Sequence, residues 1–288
     1  MPELPEVETV RRGLERLIVG KKILTVEVLN DKSMPIPRDV IDNIVVGTTI
    51  QGVRRRAKAF MIDLDNDFSL VGHLKMTGQM VYRGKENWGG GHPNSSLLAK
   101  LPDRSTRVVI KFIDGQLFFN DQRKFGWIKL FKTSEVPNIP FIAKLGPEPL
   151  LGNPEPDFLA RIARRRNTTI KAAILDQTVL AGVGSIYADE SLWLARIHPA
   201  SRVGNLSQSD LKNILGAAQK VMTDSLAVGG STFRDYVQAD GQRGDYLDKL
   251  ANVYGRAGQP CHNCGSLIKK TKISGRGTHF CPTCQVLK

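Results

Sequence analysis

Arg107-Val108-Val109-Ile110-Lys111-Phe112-Ile113-Asp114-Gly115-Gln116-Leu117-Phe118-Phe119 sets two runs of β-branched, long apolar and aromatic residues on either side of Asp114-Gly115. That dipeptide favours a tight turn, so the stretch is expected to fold as a β-hairpin. The same pattern extends outward on the N-terminal side, where Phe60-Met61-Ile62-Asp63-Leu64 alternates, and on the C-terminal side, where Phe125 to Phe131 reads as another strand. A mostly antiparallel sheet assembly is therefore expected over residues 23–131. Residues 84–96, rich in Gly, Asn and Ser, interrupt it and are expected to form a mobile loop. Before the strands, Val7, Val10, Leu14, Leu17 and Ile18 recur at helical spacing and predict a helix packed on the sheets. Pro2 or Pro5 suits its first turn, Glu3, Glu6 and Glu8 suit its positive end, and Arg11, Arg12 and Arg16 fall late in it.

Beyond the strands the pattern changes. Pro137, Pro140, Pro147, Pro149, Pro154 and Pro156 crowd residues 134–156, which predicts a linker or domain boundary. Helical patterns follow over Thr169–Gln177, Ile186–Arg196 and Ser207–Val228. The last carries a Ser207–Asp210 cap and apolar Leu211, Ile214, Leu215, Ala218, Val221 and Met222. The fold class is α+β.

Composition narrows the function. A chain of 288 residues with 41% hydrophobic and 24% charged residues can bury a sizeable core. Its net charge of +13 and pI near 9.7 favour a polyanionic partner, nucleic acid first. Clusters at Arg54, Arg55, Arg56 and Lys58 and at Arg161, Arg164, Arg165 and Arg166 agree with that, although solvated faces would look the same. No apolar run is long enough for a membrane span, and the opening lacks the form of a signal peptide, so a cytoplasmic, monomeric protein without membrane partners is expected.

Cys261-x2-Cys264-x16-Cys281-x2-Cys284 is the strongest local signal. Two such knuckles match a four-thiolate zinc site, and with sulfur at every position the one Zn2+ is expected to be structural. Lys269, Lys270, Lys272 and Arg276 lie between the knuckles with no acidic residue, as suits a DNA-contacting hairpin or a docking ribbon. Gly182-Val183-Gly184-Ser185 opens onto a helix and could present N–H groups to a phosphate, but a tight turn between helices reads equally well. Loss of Met1 would leave Pro2 as a secondary amine with a pKa near 8, beside Glu3 as a proton carrier. On these residues alone, a helix-initiating proline is the simpler reading.

The opening Pro2-Glu3-Leu4-Pro5-Glu6-Val7-Glu8-Thr9 resembles that of the bacterial formamidopyrimidine-DNA glycosylases. The resemblance continues through Arg55-Arg56-Ala57-Lys58, Gly72-His73-Leu74-x-Met76, Arg123-x-Phe125-Gly126, Gly146-Pro147-Glu148-Pro149 and Ile186-Tyr187-Ala188-Asp189-Glu190. Ile197-His198-Pro199, Gly229-Gly230-Ser231-Thr232, Val253-Tyr254-Gly255-Arg256 and the cysteine segment complete it in order. The resemblance implies an N-terminal β-sandwich catalytic domain with flanking helices over 1–133 and a hinge over 134–156. A helix–two-turn–helix DNA-binding part with a lesion-capping loop would occupy 157–253, and a zinc ribbon 254–288.

It also implies a bifunctional glycosylase and abasic-site lyase of base excision repair, acting on double-stranded DNA that carries oxidised purines or abasic sites. Pro2 would be the nucleophile, Glu3 the acid/base at the sugar ring, Glu6 a second acid and Lys58 a cation near the lesion. Met76, Arg123 and Phe125 match the family's wedge, which fills the gap left by a flipped base. Lys171, Gly184 and Arg276 match phosphate contacts, and Ser231, Thr232 and Tyr236 match the lesion pocket. The chain departs from the family at Ser185, where Asn is usual, at Lys124 in place of Arg, at Gln122 in place of a common Pro, and near Ser105 and Thr106, where a His is expected. These put DNA affinity in question more than chemistry. An endonuclease VIII-like enzyme for oxidised pyrimidines is the nearer alternative, disfavoured by Leu4; a non-catalytic damage-binding module is the other.

Overall fold

Val7, Val10, Leu14 and Ile18 are fully buried along one side of helix α1 (Leu4–Ile18), as their spacing requires. The computed structural model of the protein describes residues 1–92, 94–230 and 246–288. It falls into two compact units: the first holds Met1–Ala143 with the described Gly229 and Gly230, and the second Lys144–Val228 with residues 246–288.

In the first unit the strands are β1 (Thr25–Val28), β2 (Ile50–Arg56), β3 (Ala59–Leu64), β4 (Phe68–His73), β5 (Gly78–Gly84), β6 (Asn87–Gly91), β7 (Thr106–Phe112), β8 (Gly115–Asp121) and β9 (Trp127–Lys132). They form a five-stranded sheet in the order β1-β7-β8-β5-β6 and a four-stranded sheet in the order β2-β3-β4-β9. Every pairing is antiparallel. Met80, Val108, Ile110, Leu117 and Phe119 from the first sheet share one core with Val53, Phe60, Ile62, Leu70 and Ile128 from the second, and with α1. The expected β-sandwich is present.

Two details differ from expectation. Phe112 pairs with Gly115, so the hairpin loop is Ile113-Asp114, and neither residue takes a positive φ. Gly115 serves a close approach instead: a Cβ there would lie 2.3 Å from the Tyr82 hydroxyl oxygen on β5. Residues 84–96 were expected to be a loop but contain β6 and a short 3-10 turn at Ser95–Leu97. Gly90 of β6 and Gly13 of α1 let the helix settle on the strand. A Cβ at Gly90 would stand 2.9 Å from Val10 Cγ2, and one at Gly13 would fall 2.2 Å from Trp88 Cζ2.

The second unit is built on α2 (Glu155–Ile162), α3 (Ile170–Leu175), α4 (Ser185–Leu194) and α5 (Gln208–Ala227), followed by β10 (Lys269–Ile273) and β11 (Arg276–Phe280). The Ser207 cap forms as expected, with Asp210 N–H donating to Ser207 Oγ at 3.1 Å and Ser207 N–H donating to Asp210 Oδ2 at 3.0 Å. Helix α4 is buried from Ile186 to Trp193. Its Glu190 carboxylate accepts the backbone N–H groups of Asn252, Val253 and Tyr254 at 2.8, 2.8 and 2.7 Å. Burial pushes the Glu190 carboxyl up from its ordinary value despite these donors. Among the described residues no helix is long and apolar enough to cross a membrane.

Candidate active site and nucleic-acid interface

Glu3 is the N-cap of α1, and the Glu6 carboxylate accepts the Glu3 N–H at 2.8 Å. Helix start and candidate catalytic acids are thus one structure, a capping box whose acidic member also favours the helix dipole. Pro2 is buried, and Glu3 and Glu6 are 3% and 7% exposed. Lys58, 7% exposed, stands in the two-residue turn Ala57-Lys58 between β2 and β3. The Met1 amine lies within electrostatic reach of Glu3, Glu6 and Lys58. Burial lowers its pKa most, Glu3 and Glu6 oppose that, Lys58 adds to it, and the net direction is down from 8.0. Gly230, at φ +94°, approaches this group closely: a Cβ on it would lie 3.3 Å from Glu6 Oε1.

Arg55 braces the Lys58 turn against α1. Its Nη1 donates to the Ala57 carbonyl at 2.9 Å and its Nε to Glu8 at 3.1 Å, where Arg11 and Arg12 also donate. Burial alone would raise the Glu8 carboxyl; hydrogen bonds from Arg11 and Arg55 outweigh it and hold the group below its ordinary value. Arg54 in turn pairs with Asp63 at 2.8 Å. In the second unit Arg161 meets Asp157 at 2.7 Å and Arg165 meets Asp176 at 2.6 Å. Several members of both basic clusters therefore serve internal ion pairs, and their charge is only partly free for a polyanion.

His73 was quoted in a motif but not singled out. Its Nδ1 accepts the Lys75 N–H at 3.0 Å, which leaves the ring proton on Nε2. Burial, reinforced by Lys75 and Lys58, pushes its pKa down to about 3. It is a neutral hydrogen-bond donor beside Lys58.

Met76 and Phe125 are 37% and 53% exposed. The Arg123 guanidinium stacks 4.9 Å from the Phe125 ring centroid. These residues stand on two turns, one between β4 and β5 and one between β8 and β9.

In the second unit, Gly184 is the N-cap of α4 and Ser185 its first residue, half-exposed. Gln177 shapes the preceding turn, its Oε1 accepting the Gly182 N–H at 2.9 Å and its Nε2 donating to the Val183 carbonyl at 2.8 Å. Arg276 is exposed at the tip of the β10–β11 hairpin, whose Lys269, Lys270 and Lys272 are exposed as well. Lys171, expected to contact a phosphate, lies inside the second unit. It is 1% exposed, and its ammonium is held by Asp189 at 2.6 Å, the Gly277 carbonyl at 2.7 Å and Thr278 Oγ1 at 2.8 Å. These contacts tie α3 and α4 to the ribbon. Ser231, Thr232 and Tyr236 lie outside the described residues.

The four cysteine sulfurs lie within 4.8 Å of one another. Cys261 and Cys284 are 3.8 Å apart and Cys264 and Cys281 3.5 Å. Four thiolates around zinc at about 2.3 Å would be separated by roughly 3.8 Å, so the donor set and its spacing fit one tetrahedral ion. Gln285 supports the second knuckle, accepting the Cys281 N–H at 2.8 Å and donating to the Ile197 carbonyl at 2.9 Å.

Three family profiles match in succession. Formamidopyrimidine-DNA glycosylase N-terminal domain matches residues 1–128, Formamidopyrimidine-DNA glycosylase H2TH domain matches residues 145–237, and a zinc finger found in FPG and IleRS matches residues 258–286. The formamidopyrimidine-DNA glycosylase of Desulfitobacterium hafniense is 38% identical over 287 residues, covering 99% of this chain and 100% of that one. The protein of the same name from Lactococcus lactis subsp. cremoris is 39% identical over 288 residues, covering 99% of each. A solved complex of the Lactococcus lactis protein with abasic-site DNA superposes with a TM-score of 0.85 at 35% identity, over 98% of this chain and 99% of that one. MutM in complex with DNA containing carbocyclic 8-oxo-G gives 0.85 at 35% identity, over 99% of each chain.

Proposed function

Because the chain belongs to the formamidopyrimidine-DNA glycosylase family, we propose that it excises oxidised purines from double-stranded DNA and then cleaves the strand at the abasic sugar. The observation that carries the reading is the gathering of buried Pro2, Glu3, Glu6 and Lys58 at the start of α1, with the Met1 amine within electrostatic reach of the three charged groups. Removal of Met1 converts the Pro2 nitrogen from a tertiary amide into a secondary amine in the same surroundings. That amine attacks C1′ of the flipped nucleotide, the bond to the damaged base breaks, and Glu3 donates a proton to the ring oxygen as the sugar opens. The resulting iminium acidifies the C2′ proton. Its loss expels the 3′-phosphate by β-elimination, and δ-elimination then expels the 5′-phosphate.

Lys58 steadies the lesion's phosphate, and Glu6 holds the Glu3 backbone while adding negative charge beside the amine. Met76, Arg123 and Phe125 enter the base step left by the flipped nucleotide, with Arg123 facing the orphaned cytosine. Gly184, Ser185 and Arg276 contact phosphates from the second unit, and Ser231, Thr232 and Tyr236 line the lesion pocket. One structural zinc on Cys261, Cys264, Cys281 and Cys284 holds the Arg276 hairpin in shape. Residues 1–133 act as the catalytic domain, 134–156 as a hinge, 157–253 as the DNA-binding part and 254–288 as the ribbon. The enzyme works as a monomer on the nucleoid DNA of a bacterial cytoplasm.

Borohydride trapping on a duplex with 8-oxoguanine opposite cytosine tests the amine, the lesion and the chemistry together. A covalent adduct at Pro2, with slower trapping on thymine glycol, is expected. An adduct on Lys58 or any other lysine, with the N-terminus unmodified, would overturn the Pro2 mechanism.

A further inference from the structure

Asp121 closes β8 and is fully buried. Its Oδ1 accepts the Thr77 hydroxyl and, at 3.1 Å, the Arg123 N–H; its Oδ2 accepts the Gly126 N–H at 2.6 Å. The Thr77 hydroxyl oxygen also accepts the Arg123 N–H at 3.1 Å. One carboxylate thus spans the turn from Arg123 to Gly126 and reaches the neighbouring turn at Thr77, the residue after Met76. Both turns carry a non-glycine residue in the left-handed region, Lys75 at φ 51° and Lys124 at φ 58°. Each such residue stores strain of about 1 kcal/mol or more, which persists only where surrounding bonds hold it. Asp121 supplies two such bonds around Lys124, and His73 Nδ1 supplies one at Lys75. Gly126 is pressed close to the clamp: a Cβ there would sit 3.1 Å from Asp121 Oδ2 and 2.7 Å from Phe119 Cζ.

We propose that Asp121, acting with Thr77, is the positioning residue of the wedge: it joins the Met76 turn and the Arg123–Phe125 turn into one rigid unit that is already shaped before DNA arrives. The inference rests on the reading of Met76, Arg123 and Phe125 as the wedge. It assigns to a buried carboxylate a part in base-step opening, although its oxygens face only protein donors. Charge-assisted hydrogen bonds to backbone N–H groups are the strong kind, so this clamp can hold two exposed turns in register.

Asp121→Asn tests it. The amide keeps the shape but offers a donor where one carboxylate oxygen accepted, which sets N–H against N–H at Gly126 or Arg123. The measurement is single-turnover cleavage on two duplexes: one with 8-oxoguanine opposite cytosine and 2-aminopurine next to the lesion, the other with a pre-formed abasic site. The fluorescence rise on the first duplex and its excision rate should both fall about tenfold, as the loss of a buried charged acceptor allows. Scission at the abasic site and zinc content should stay close to wild type at temperatures below the variant's lowered melting midpoint. Adding Met76→Ala to Asp121→Asn should lower excision little further, because both changes act on one insertion. Unchanged fluorescence and excision in Asp121→Asn would overturn the proposal, as would equal losses on the two duplexes. Should Asp121→Asn fail to fold, Thr77→Val leaves the carboxylate with Gly126 and Arg123 and should show the same split between substrates; its absence counts against the clamp. Met76→Ala alone separates the two levels: a normal fluorescence rise in that variant sinks the wedge reading itself.

Discussion

The Lys171 ammonium meets the Asp189 carboxylate at 2.6 Å with both side chains shut away from solvent. Asp189 also accepts the His279 N–H at 2.8 Å, so the pair fastens α3, α4 and β11 at a single point. Breaking such a buried pair by removing one partner leaves the other charge stranded, at a cost of roughly 3–5 kcal/mol. Lys171→Met should therefore lower the unfolding free energy by about that much, as measured by urea denaturation. Lys171→Met with Asp189→Leu should recover part of the loss. A Lys171→Met protein of wild-type stability with weakened phosphate binding would return Lys171 to the role read from the sequence.

His73 predicts a pH dependence of stability. With a native pKa of about 3, against an ordinary 6.5, the folded protein keeps the ring neutral where the unfolded chain takes up a proton. The unfolded state binds more protons between those values. The contribution to stability is full above about 6.5 and is lost as pH falls toward 3, at up to ~1.4 kcal/mol per pH unit. His73→Gln should flatten the curve of unfolding free energy against pH in that window. Parallel curves for the two proteins would show that the ring is not held neutral.

Cys264→Ser should strip zinc and tight DNA binding together. The metal's binding energy is folding energy for a ribbon of this size, and Arg276 is placed by that ribbon. Elemental analysis and a DNA titration provide the check; full zinc occupancy with normal affinity would refute a structural four-thiolate site.

Activity should depend on the processing of Met1. An N-terminal extension that resists removal should abolish borohydride trapping, whereas Pro2→Gly should retain some of it through a primary amine. Mass spectrometry of the trapped peptide identifies the attacking residue. Trapping that survives the extension unchanged would exclude the terminal amine.

How far the sequence could be read depended on whether a residue's task was local. The Ser207–Asp210 cap and the α1 stripe involve neighbours along the chain, and both appear where spacing puts them. The four cysteines were legible because thiolate spacing directly encodes a shared metal. Gly89, Gly90 and Gly91 were misread as loop because their reasons are distant: Gly89 packs on Val81 and Leu97, Gly90 on Val10 of α1, and Gly91 on the β5 backbone. Nothing local to Lys171 in the sequence shows that it is buried against Asp189 and Thr278. Asp121 and Thr77 gave no signal, since the bonds that join them span 44 residues. For the catalytic end, residue types alone favoured a helix-starting proline over a nucleophile; both readings describe the same few residues, because Glu3 and Glu6 cap the helix that carries them.

The glycine contact at Gly13 turns α1 into a lever. Trp88 is 3% exposed and lies where a Cβ on Gly13 would fall, so the indole ring sets how deeply the helix rests. From Gly13 to Leu4 the helix runs about 13 Å at 1.5 Å per residue. A displacement of order 1 Å at the fulcrum is carried to the far end without being absorbed, because a hydrogen-bonded helix bends little over that length. The far end is the capping box with the terminal amine on it. The position of Pro2, proposed above as the nucleophile, is thus gauged by one indole ring at the other end of the helix. A methyl group at Gly13 would shift that gauge, and trimming the ring at Trp88 would be the way to reset it.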